Sequence, residues 1–108
     1  MKEYYELKIT GDQDVYYKNR LLDTDVYYFK KLDSPKIISI LDDYRENVSD
    51  YKRGCVKDLQ SAIRKMKDIV KYVDPNEELM FYYTFGGNQC ITIEKHYMPE
   101  EEDFEDGN

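Results

Sequence analysis

His96 is the only histidine in this 108-residue chain, and Cys55 and Cys90 are its only thiols. Nucleophilic catalysis from this set would need two of the three within hydrogen-bond reach. Cys90 and His96 have the parity of one strand face, but six residues along a strand separate them by roughly 20 Å. Asp42, Asp43 and Glu46 fall together on a helical stretch and read as a solvated face, because metal cages need tighter His, Cys, Asp and Glu grouping. Gly86-Gly87 lacks the Lys and Ser/Thr of a phosphate loop and leads into a strand rather than a helix. The chain is therefore expected to be non-catalytic, with no metal and no cofactor.

Binding is a better match to the residue types. Twelve tyrosines include the pairs Tyr4-Tyr5, Tyr16-Tyr17, Tyr27-Tyr28 and Tyr82-Tyr83, each inside a strand-like stretch. Neighbours on a strand point to opposite faces, so one ring of each pair should enter the core and the other should look outward. Tyr4, Tyr16, Tyr27 with Phe29, and Tyr82 are the outward candidates. Tyrosine joins a large apolar ring to a polar tip with few rotatable bonds, which suits a binding surface. The plainer alternative is that tyrosine fills these positions because it favours strands.

The net charge of −7 is unevenly spread: residues 1–50 carry −3, 51–73 carry +5, and 74–99 carry −3. Residues 100–108 hold six acids and no base, so most of the acidity is a terminal tail. Glu100, Glu101, Glu102 and Asp103, with Phe104 as an aromatic anchor, are candidate partner contacts for a segment disordered when free. Such a balance disfavours bulk nucleic acid and favours a protein with a basic surface. Lys57, Arg64 and Lys71, seven apart with Lys67 nearby, line the long helix. They read as a solvated row or as a contact for an acidic partner.

The elements that must position these groups follow from periodicity. Residues 3–10 alternate, with Tyr5, Leu7 and Ile9 on one face. The stretch 14–21 is echoed by 25–32, which predicts a β-hairpin bent at Leu22-Asp23-Thr24. Ser34 and Pro35 predict a helix start, with Ser34 as the cap, and Ile37, Ile40, Leu41 and Tyr44 form the inner stripe of a helix over 36–46. A polar connection over 47–54 precedes a second helix over 55–73, on which Val56, Leu59, Ile63, Met66, Val70 and Val73 make one apolar line. A last hairpin pairs 79–85 with 89–97 around Gly86-Gly87-Asn88.

The expected fold is α+β: one domain over 1–99 with an antiparallel sheet of about five strands and two helices on one face, in the order βββααββ, followed by the acidic tail. The acidic start without an apolar run, and the single pair of cysteines, predict a cytoplasmic protein with reduced thiols. The expected function is a small acidic binding protein that inhibits or modulates a partner macromolecule. Small size, acidity and the lack of catalytic groupings are shared, in type and by no motif, with phage-encoded inhibitors of bacterial defence nucleases. The competing expectation is a nucleic-acid or nucleotide binder that stacks bases on Tyr16, Tyr27 and Tyr82. A homodimer burying the tyrosine face is a third.

Overall fold

The computed structural model describes residues 2–11, 15–50, 55–72, 80–85 and 89–98. Strands β1 (Lys2–Thr10), β2 (Val15–Tyr17), β3 (Arg20–Leu21) and β4 (Thr24–Phe29) precede helix α1 (Ser34–Asn47). Strand β5 (Val48–Asp50), helix α2 (Cys55–Tyr72) and strands β6 (Met80–Phe85) and β7 (Gln89–Met98) follow. The chain is α+β, as the periodicity predicted, but its strands divide between two antiparallel sheets. One has the order β4-β1-β7-β6, the other β3-β2-β5.

The predicted inner residues of β1, namely Tyr5, Leu7 and Ile9, are buried with Ile91 and Ile93 of β7. Over them lie Ile37, Leu41 and Tyr44 of α1 and Leu59, Ala62, Ile63, Met66 and Val70 of α2, in a cluster that also takes in Val15, Tyr17 and Val48 of the smaller sheet. Both helices thus bury their stripes on the same side of the larger sheet. Val56 and Val73, predicted to extend the α2 stripe, have side chains outside the described set. Polar contacts tie the helices as well. Ser34 Oγ donates to the Val70 carbonyl at 3.1 Å, Gln60 Nε2 to the Arg45 carbonyl at 2.9 Å, and Lys67 pairs with Asp42.

Four expectations are corrected. The echoed segments do not form a hairpin with each other. Strand β2 turns back at once into β3 through Lys18-Asn19, where φ is 49° and 67°; two positive φ values are what a two-residue hairpin turn requires. Strand β4 instead runs antiparallel to β1, with Tyr5 opposite Phe29, Leu7 opposite Tyr27 and Ile9 opposite Asp25. Directly opposed residues share a face, so Tyr27 and Phe29 point inward with Tyr5 and Leu7. A shift of one residue reverses every side chain, and the echo transferred the parity of β2 to a strand of a different sheet.

The other corrections are local. The connection after α1 contains strand β5, because Val48 is buried and 48–50 pair with β2, adding a third strand to the smaller sheet. The α1 cap is Asp33, one residue earlier than expected: its side chain accepts from Lys36 N, which places Ser34 and Pro35 inside the first turn. The predicted glycine turn 86–88 and the tail 100–108 lie outside the described residues.

Candidate functional site

The face of the larger sheet turned away from the helices is built by alternation on β1, where part-exposed Tyr4, Glu6, Lys8 and Thr10 interleave with buried Tyr5, Leu7 and Ile9. Pairing decides what stands beside them. On one side His96 lies opposite Tyr4 and Glu94 opposite Glu6; on the other, Tyr28 lies opposite Glu6 and Val26 opposite Lys8. Side chains from β4, β1 and β7 are therefore brought together although they are as much as 92 positions apart, from Tyr4 to His96.

Tyr4 is the centre of an aromatic row. Its ring stacks on the His96 imidazole with centroids 5.3 Å apart and planes at 23°, and meets the Tyr28 ring edge-on at 5.9 Å. Tyr28 is 65% exposed and Val26 37%. A groove of about 510 Å3 runs beside the row, lined by Tyr4, Tyr28, Phe29 and Lys30. Polar and charged groups stand on the same face: Lys8 Nζ is 3.6 Å from Glu6 Oε1, and His96 Nε2 is 3.3 Å from Glu94 Oε2. Such a face can present a rigid apolar anchor with polar groups around it.

The predicted partner-binding residues are only partly assembled here. Tyr4 is on this face. Tyr28, taken for a core ring, is the most exposed aromatic among the described residues of this face, while Tyr27 and Phe29, taken for outward ones, belong to the core side. Tyr16 sits on β2 in the other sheet. Tyr82 pairs with Thr92, a position of outer-face parity, but its side chain is outside the described set, as are Glu100, Glu101, Glu102, Asp103 and Phe104. Lys57, Arg64 and Lys71 are exposed on α2, far along the chain from these strands, and Lys67 is engaged by Asp42. Sequence reading missed the meeting of Glu6, Glu94 and His96. The signal that pointed there was parity, which put all three outside.

The inward tyrosines have a separate role. Tyr17 and Tyr44 stack at 3.9 Å with planes 6° apart, and Tyr27 meets Tyr44 edge-on. The Tyr44 hydroxyl donates to Asp25, so at 2.6 Å the Tyr27 hydroxyl is the donor to Tyr44. Asp25 also takes both amino groups of Arg20, and Asp43 receives the Tyr17 hydroxyl and, at 3.0 Å, Lys18. Burial raises the Tyr44 hydroxyl above its ordinary pKa, and Asp25 adds to this. Burial alone would raise Asp25 too, yet Arg20 and Tyr44 overcome it and hold the carboxyl below its usual range. The Tyr17 hydroxyl and then Lys18 lower Asp43. This network fastens the β2–β3 hairpin and β4 to α1.

Comparison with protein-family models, with curated proteins and with solved structures finds no match to this chain. Among the described residues no helix is long and apolar enough to cross a membrane.

Proposed function

We propose that this chain is a small non-enzymatic binding protein that docks a protein partner on the outer face of its four-stranded sheet and thereby modulates that partner. The reading rests on Tyr28, 65% exposed and braced against Tyr4 beside an open groove. A ring already held by a neighbour loses little freedom on binding, which is why aromatic anchors dominate interface energies. Lys8, Lys30, Glu6 and Glu94 would form the polar rim. The six acids of 100–108 would steer the encounter with a basic partner, and an inhibitor of a nucleic-acid-processing protein is the specific form we favour.

A base-stacking role is the weaker reading. Its platform of Tyr16, Tyr27 and Tyr82 is dispersed, with Tyr27 turned to the core and Tyr16 in the smaller sheet. Glu6 and Glu94 stand where a phosphate backbone would run beside Tyr4.

The test is retention of a discrete protein by the immobilised full chain, repeated with Tyr28→Ala. We expect at least a tenfold loss of retention, about 1.4 kcal/mol, with an unchanged circular dichroism spectrum. Equal retention by the variant would remove Tyr28 as anchor. Binding of single-stranded nucleic acid at low salt that depends on Tyr28 would replace the protein partner with the weaker reading. A solution mass of two chains that falls to one in Tyr28→Ala would identify the partner as a second copy.

A further inference from the structure

Glu6 and Glu94 are direct cross-strand partners. Like charges so placed repel each other, and the Glu6 side chain is only 13% exposed, so water screens it poorly. His96 stands one pair further along the same face, its Nε2 3.3 Å from Glu94 Oε2 and 3.9 Å from Glu6 Oε1. That nitrogen is closed to solvent and makes no hydrogen bond among the described residues. The stacked Tyr4 ring fixes the plane of the imidazole. One ring nitrogen and two carboxylate oxygens thus lie within 4.8 Å of one another, on three side chains of two paired strands.

The geometry points to a binding site for a divalent transition-metal ion of the zinc type, held by His96 Nε2 and one oxygen each from Glu6 and Glu94. A mixed imidazole and carboxylate set suits zinc and its neighbours, whereas magnesium and calcium take all-oxygen shells. Metal bonds of about 2.1 Å put tetrahedral ligands about 3.4 Å apart. The His96–Glu94 pair is already at that separation, and Glu6, 3.9 Å from His96 Nε2 and within 4.8 Å of both partners, closes the rest by side-chain rotation. A dication would cancel the two opposed carboxylates, a task that Lys8, 3.6 Å from Glu6, performs only in part. A water molecule would complete the four-coordinate shell. This site does not depend on the partner reading, since all three ligands belong to one chain.

Because His96 is the only histidine, its imidazole proton signals need no assignment. Titrating the full chain with zinc chloride is expected to shift those signals saturably at one ion per chain, while magnesium chloride at equal concentration leaves them in place. Glu6→Gln and Glu94→Gln should each weaken zinc binding at least tenfold by calorimetry, with circular dichroism unchanged. Zinc held by the acidic tail or by Cys90 would leave the imidazole signals unmoved and would survive His96→Ala, and that result overturns the site. Absence of saturable binding to the unaltered chain overturns it as well, whether or not the glutamine variants fold.

Discussion

Tyr44 and Asp25 show how one buried hydroxyl and one carboxylate decide the behaviour of the residues around them. Asp25 keeps its charge in a partly buried position because Arg20 grips both oxygens and Tyr44 donates to one. Asp43 is held charged in the same way by Tyr17 and Lys18. Both carboxyls lie below their ordinary values, so the native state holds its charge to lower pH than the unfolded chain does. The stability they add is complete above the unfolded value of about 3.9 and is lost as pH falls through the lower native values. Urea midpoints measured at pH values from about 5 down to about 2 should fall steeply for the native chain. Asp25→Asn should start lower at neutral pH, where the amide replaces a carboxylate facing Arg20, and should decline less steeply. Parallel slopes for the two proteins would show that Asp25 contributes nothing to acid sensitivity.

At the scale of elements, the most constraining contact is where β1 leaves the larger sheet. Gly11 N donates to the Asp23 carbonyl at 3.0 Å, while Leu22 N donates to the Val15 carbonyl at 2.8 Å. The segment joining β3 to β4 is thereby pressed against the end of β1. A Cβ on Gly11 would lie 2.5 Å from the Leu22 carbonyl oxygen and 2.8 Å from its Cγ. The oxygen belongs to backbone held on both sides and the Leu22 side chain is fully buried, so neither can yield freely. Gly11→Ala is expected to destabilise the fold by about 1–3 kcal/mol, the usual cost of overpacking, read as a lower urea midpoint. An unchanged midpoint would mean that this junction is more compliant than its packing indicates.

For the molecule as a whole, α2 is the shared wall. It contacts β6 and β7 of the larger sheet and β5 of the smaller one, and its stripe joins a core cluster with members in both. Ile63 is fully buried in that cluster. Ile63→Ala should cost about 2–5 kcal/mol. Helix signal in the far ultraviolet and tyrosine fluorescence should then shift to lower urea together, as they do when one cooperative unit unfolds. Separate transitions for the two signals would show that the small sheet can unfold alone. The split into two sheets also explains why the tyrosine pairs have different fates: Tyr4 and Tyr28 face outward beside His96, while Tyr17 and Tyr27 converge on Tyr44.

Period alone determined a good deal. The i, i+3, i+4 spacing of α1 and α2 named Ile37, Leu41, Tyr44, Leu59, Ile63, Met66 and Val70 as core, and all are buried. Alternation on β1 and β7 sorted Tyr5, Leu7, Ile9, Ile91 and Ile93 inward, and Tyr4, Glu6, Glu94 and His96 outward. These are local consequences of 3.6-residue and two-residue repeats, and any window of sequence carries them. Pairing partners and register are not local. That β4 joins β1 rather than β2 reversed Tyr27 and Tyr28, and that β1 lies against β7 brought Glu6, Glu94 and His96 to one place. Such choices depend on which strands bury the most together once the helices are in place. A residue's parity is thus written in its neighbours, whereas the identity of the group across from it exists only in the folded sheet.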